Sequence, residues 1–183
     1  MRKEWEEYQA IYVHIPFCVQ KCLYCDFASY ANCTHQVKER YVAALCKEIA
    51  YPLSLPVAEQ ATIYFGGGTP STLTVEEIAK IVAALKAKGL WRNPKEATIE
   101  VNPGTVYVEK LKAFKAMGFT RISMGVQSLN DAELKAIGRI HNAEQALEAI
   151  AMAQKAGFEH INADVIYGLP QQSLETLKAT LSG

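Results

Sequence analysis

Lys115-Ala116-Met117-Gly118-Phe119-Thr120-Arg121-Ile122-Ser123 reads as the end of a helix turning into a strand. The stretch starting 39 residues later, Gln154-Lys155-Ala156-Gly157-Phe158-Glu159-His160-Ile161-Asn162, repeats the pattern. In both, Gly marks the helix stop, and the Phe and Ile that follow turn toward a core. Ile11–Ile15, Thr62–Phe65, Thr98–Asn102, Arg121–Val126 and His160–Gly168 read as short strands, β-branched or aromatic and bounded by Gly or Pro. They lack clean polar alternation, which predicts strands covered on both faces. Helical stretches lie between them. Val37, Tyr41, Leu45 and Ile49 form one apolar stripe. Thr74 with Glu77, and Asn142 with Gln145, read as capping boxes, and a last helix starts at Ser173. Repeated β-α units predict an α/β fold with a parallel sheet. The expectation is a partial parallel (β/α) barrel, about five strands long and truncated before closure, because a closed parallel barrel needs about eight.

Composition sets the outer limits. At roughly 150 residues per domain, 183 residues suggest one domain over 1–183, the N-terminal portion of a longer barrel protein. No Gly/Ser-rich linker interrupts it. Half the residues are hydrophobic and 21% are charged, which excludes a disordered chain. Lys+Arg and Asp+Glu are both 19, so nothing favours a nucleic-acid partner. No apolar run reaches the ~20 residues of a transmembrane helix. The opening MRKEWEEYQA is charged where a signal peptide is apolar. A cytoplasmic, reducing compartment is therefore expected, where five cysteines bind metal or do chemistry more often than they pair.

Cys18, Cys22 and Cys25 form C-x3-C-x2-C directly after the first strand. Parallel folds place their sites at such C-terminal strand ends. Three thiolates do not close a tetrahedral zinc site, which takes four ligands. They do suit a four-iron cluster with one iron left open. A zinc site completed by His14 or His35 is the alternative. Cys46, in a helix, reads as a small buried hydrophobe, and Cys33 has no assigned role.

Tyr12-Val13-His14-Ile15-Pro16-Phe17-Cys18-Val19-Gln20-Lys21-Cys22-Leu23-Tyr24-Cys25-Asp26-Phe27 resembles the signature of radical S-adenosylmethionine (SAM) proteins. It is most similar to the branch of oxygen-independent coproporphyrinogen III oxidases and haem chaperones. The resemblance implies a barrel of the radical SAM type. It also implies a [4Fe-4S] cluster whose open iron is chelated by the amino and carboxylate groups of SAM. Reductive cleavage of SAM then gives methionine and a 5′-deoxyadenosyl radical. The protein's part is to bind, orient and shield.

Further motifs extend the resemblance. Gly66-Gly67-Gly68-Thr69-Pro70 follows the second strand. It can be a plain tight turn, or glycines that let a ligand reach the backbone. The resemblance implies that Gly67, Gly68 and Thr69 bind the methionyl end of SAM. Glu100 is a carboxylate in an apolar strand, which calls for a partner. The partner is an ion pair or, as the family implies, SAM. Gln127 either caps a loop or contacts SAM. Arg139 is either a solvated helix residue or, as the family implies, a fork for the SAM carboxylate. Asp164 suits a ribose hydroxyl, and Tyr12, on the same side of its strand as His14, is expected beside the adenosyl group.

The oxidase branch carries a fourth cysteine two residues after the third, where this chain has Phe27. Cys25-Asp26-Phe27 instead resembles the haem-chaperone branch. The chaperones' haem-binding His-Asn-x-x-Tyr motif is not matched by His141-Asn142-Ala143-Glu144-Gln145, which lacks the Tyr. Haem ligation is therefore not assigned to His141; haem binding is expected only of the full-length parent. The resemblance implies SAM, haem or a porphyrinogen, an electron-donor protein and a haem-accepting protein as partners. If the chain is catalytic, it implies oxidoreductase chemistry in porphyrin biosynthesis.

Overall fold

Strands and helices alternate along the chain, as the two repeated corners require. The computed structural model describes residues 6–183; residues 1–5, half of the charged N-terminal stretch noted above, lie outside the described residues. The strands are β1 (Tyr8–Ile15), β2 (Phe17–Cys18), β3 (Tyr30–Ala31), β4 (Val57–Gly67), β5 (Ala97–Val101), β6 (Arg121–Gln127) and β7 (His160–Val165). The helices are α1 (His35–Ala50), α2 (Val75–Ala87), α3 (Val108–Met117), α4 (Asp131–Ala136), α5 (Ala143–Lys155) and α6 (Leu174–Ser182). Five strands make one sheet in the order β1-β4-β5-β6-β7, every pair parallel. The order advances in one direction and never reverses. That is the progression of a barrel wall, where a doubly wound sheet would have a switch point. The fold is α/β, an open partial barrel.

The strands alternate more than the sequence suggests. Ile63, Phe65, Ile99, Ile122 and Met124 are at most 1% exposed and pack with Ile78, Ile81, Leu85, Leu111 and Phe114 of the helices. Phe65, Trp91, Phe114 and Phe119 meet edge to face, with ring centroids 5.0–6.2 Å apart. The opposite face carries Tyr12, Tyr64, Glu100, Ser123 and Asp164 at period two. Tyr12 is 57% exposed there. The expected coverage on both faces is corrected: helices cover one face, and the other is polar and open.

Local signals behave as their chemistry dictates. The Thr74 hydroxyl accepts from Glu77 N–H and the Glu77 carboxylate accepts from Thr74 N–H. Asn142 with Gln145 closes a second capping box. Gly118 ends α3 at φ 111, and a Cβ there would lie 3.1 Å from Trp91 Nε1. The α1 stripe is only partly right. Tyr41, Leu45 and Ile49 pack on the core, but Val37 is 45% exposed and Val42 is the deepest residue. A four-residue step overshoots a turn by about 40°, so a run of such steps drifts off one face.

His141 is buried between α4 and α5, with Nε2 3.1 Å from the Val126 carbonyl and Nδ1 without a partner. Burial, aided by the Arg139 charge, pushes its imidazole down to about 4 from 6.5. The unfolded chain takes up the proton first as pH falls. Acidification through that window therefore favours unfolding, by up to about 3 kcal/mol at roughly 1.4 kcal/mol per pH unit. Urea midpoints of His141→Gln should consequently fall less than those of the parent between about pH 7 and about pH 4. Equal acid sensitivity would refute a neutral buried His141.

Candidate functional site

The C-terminal ends of the sheet strands and the cysteine loop enclose one cavity of about 260 Å³. The loop begins at Cys18, the last residue of β2. It returns at β3, pairing Phe17 with Tyr30 and Cys18 with Ala31. Between these strands a turn places Cys25 N–H 3.2 Å from the Cys22 carbonyl. Cys18, Cys22 and Cys25 all border the cavity and are free.

The glycine run closes the cavity from the end of β4. Gly68 N–H donates to the Ile15 carbonyl at 2.9 Å, and Thr69 N–H to the Phe17 carbonyl at 2.7 Å. Gly67 has φ +114, and a Cβ there would meet His14 Cε1 at 2.6 Å. A Cβ on Gly68 would lie 2.7 Å from the Phe17 oxygen and 3.0 Å from Cys18 Sγ. The run is therefore a turn that also lets two backbone segments and the thiol lie closer than side chains permit. Thr69 Oγ1 stands 3.9 Å from Cys18 Sγ.

Glu100, on β5, has no ion-pair partner among the described residues. Its Oε1 accepts from Tyr64 O–H at 2.7 Å and its Oε2 from Gly67 N–H at 3.2 Å. Burial raises its carboxyl above the ordinary value, and these two bonds oppose the rise. Asp164, on β7, accepts from Asn162 Nδ2 at 2.6 Å and from Ser123 Oγ at 3.4 Å; burial raises it as well. Gln127 ends β6 with φ 71, 9% exposed, at the cavity wall. Arg139 donates from Nη1 to Cys22 Sγ at 3.4 Å and from Nη2 to the Asn102 side-chain oxygen and the Gly125 carbonyl. Its Nε is buried without a partner.

Ten of the eleven residues singled out from the sequence thus border one cavity. Tyr12 is the one that does not. It shares its side of β1 with His14, hydrogen-bonds His14 Nδ1 at 3.1 Å and stacks on Tyr64 beside the cavity. Asn102, Ser123 and Tyr64 were not singled out. Asn102 was legible, since it lies two residues after Glu100 in Glu-Val-Asn-Pro and so shares its side. Cys33 and Cys46 stand apart and pack against the core.

The donors suit a cluster better than an ion. Among the described residues no three His, Cys, Asp or Glu side chains converge on a point that a single metal ion could occupy. His14 Nε2 is held by the Ala28 carbonyl at 2.9 Å, and His35 pairs with Glu39 and Glu77. Neither completes a zinc site. Three soft thiols spread around a roomy cavity, a glycine cradle, and an Arg donor still free to bond fit an iron–sulfur cube with a polar ligand beside it.

The model of the Radical SAM superfamily matches residues 12–182. Heme chaperone HemW of Haemophilus influenzae is 40% identical over 171 residues, covering 91% of this chain and 45% of that protein. HemW of Escherichia coli is 38% identical over 167 residues, covering 91% and 44%. The coproporphyrinogen III oxidase HemN of Escherichia coli, described as a radical SAM enzyme, superposes with a TM-score of 0.84 at 30% identity over 98% of this chain and 42% of its own. The cobalamin-dependent enzyme OxsB shares the fold at a TM-score of 0.62 and 19% identity, covering 94% of this chain and 26% of its own. The chain spans less than half the length of the curated relatives it matches. It belongs to the radical SAM superfamily.

Proposed function

We propose that residues 1–183 form the N-terminal portion of a radical SAM core domain in a cytoplasmic haem chaperone, which delivers haem to acceptor proteins. The observation that carries this reading is that three thiols and a ring of polar groups line one cavity. Cys18, Cys22 and Cys25 hold the [4Fe-4S] cluster, and the groups facing them hold SAM. A cluster held by these cysteines and reduced by a donor protein would supply an electron for cleavage of the SAM carbon–sulfur bond. The chain's own residues orient the nucleotide. Gly67 and Gly68 admit the methionyl end, with Thr69 beside Cys18. Glu100, fixed by Tyr64 and Gly67, offers a carboxylate to an ammonium. Arg139 offers donors to a carboxylate. Asp164 would face the ribose, Gln127 lines the cavity wall, and Tyr12 would flank the adenosyl end.

Phe27 favours the chaperone over the oxidase. It stands 65% exposed at the cavity rim, where the oxidase branch has its fourth cysteine. The curated relatives named above are heme chaperones. The alternative is oxygen-independent oxidative decarboxylation of coproporphyrinogen III, supported by the close superposition on HemN.

Anaerobic reconstitution with iron and sulfide should give wild-type protein a cluster spectrum, and Cys18→Ala should lose most of the bound iron. Full cluster retention by Cys18→Ala would reject the ligand assignment. The protein containing this chain should retain haem through gel filtration, yet leave coproporphyrinogen III intact in the presence of SAM and reductant. Stoichiometric vinyl formation would transfer the assignment to the oxidase.

A further inference from the structure

The turn after α4, Ile137-Gly138-Arg139, touches the cysteine loop at three points. Leu23 N–H donates to the Ile137 carbonyl at 3.1 Å, and Gln20 Nε2 to the Gly138 carbonyl at 3.0 Å. The third contact is Arg139 Nη1 on Cys22 Sγ at 3.4 Å. A Cβ on Gly138 would meet Leu23 Cγ at 3.1 Å, so turn and loop are packed without spare room. Arg139 is itself anchored through Nη2 by Asn102 and Gly125. A side chain that is always cationic is thereby held against one sulfur, at a wall where solvent screening is weaker than in bulk water.

We propose that Arg139 is a positioning residue for the iron–sulfur cluster: its N–H···S contact with Cys22 raises the cluster's reduction potential, and the Ile137–Arg139 turn holds the loop in register. The proposal rests on the cluster reading above and adds a role for Arg139 that precedes any SAM contact. Reduction adds one electron, taken from an external reductant, and breaks no bond. A cation donating to a ligating sulfur stabilises the more negative, reduced form. Hydrogen bonds to the sulfurs and net charge are established determinants of such potentials. Asn102 acts one step further out, by fixing the guanidinium.

The test uses reconstituted protein without SAM, titrated anaerobically against redox mediators and read by electron paramagnetic resonance of the reduced cluster. Omitting SAM separates this role from nucleotide binding. Arg139→Gln should keep the wild-type iron content while its reduction equilibrium shifts about tenfold toward the oxidised form, about 59 mV for one electron. Arg139→Lys should recover part of the shift. Asn102→Ala, which leaves Arg139 held through Nη2 by the Gly125 carbonyl alone, should shift in the same direction. A wild-type potential in Arg139→Gln at full iron content overturns the proposal and leaves the cluster reading intact. If Arg139→Gln instead loses its iron, Asn102→Ala decides, and an unshifted potential there overturns the proposal. Wild-type protein that takes up no cluster overturns the cluster reading itself.

Discussion

The close approach of backbone at the end of β4 to backbone at the start of the cysteine loop is the contact on which the site depends. Two hydrogen bonds, Gly68 to Ile15 and Thr69 to Phe17, bind these segments outside any regular ladder. They form only because two successive residues carry no Cβ. The loop between β2 and β3 has little structure of its own, and a free loop carries an entropic cost of about 1–2 kcal/mol per ordered residue. Backbone contacts on one side and the Ile137–Arg139 turn on the other offset that cost. Cys18 and Cys22 therefore take their positions from opposite walls of the cavity, one from the glycine turn and one from the end of α4.

The sheet separates stability from chemistry by face. Ile63, Phe65, Ile99, Ile122 and Met124 pack under helices and give the strands a dry footing. One residue along each strand, the side chain points the other way, and there the sequence places Tyr64, Glu100 and Ser123. Burial drives the Glu100 and Asp164 carboxyls upward, so holding them charged beside the cavity works against folding. Tyr64 and Gly67 counter part of this at Glu100, and Asn162 and Ser123 do so at Asp164.

Much of the molecule was legible in the sequence, for reasons that differ by element. The corners around Gly118 and Gly157, the capping boxes and the five main strands follow from local rules that tertiary packing did not override. The cysteine spacing was legible because three thiols within eight residues suit a cluster and do not close a tetrahedral zinc site. The short β2–β3 ladder was not, since two residues carry no periodic signal. Nor were the contacts of Arg139, which lies 117 residues from Cys22 in the chain and reaches it only through the fold. The expectation of strands dry on both faces failed because Tyr64 and Ser123 each sit singly among apolar neighbours, and a single polar residue hardly disturbs an apolar run.

The polar, helix-free face of the sheet also bears on how such proteins diversify. Ile63, Phe65, Ile99, Ile122 and Met124, which pack against the helices, lie on the far side, so whatever is built against the open side leaves that hydrophobic layer untouched. A half-barrel of this kind is a separable wall, whose hydrophobic layer and polar face can be altered independently. HemN, at 30% identity, and OxsB, at 19%, share the fold within much longer chains.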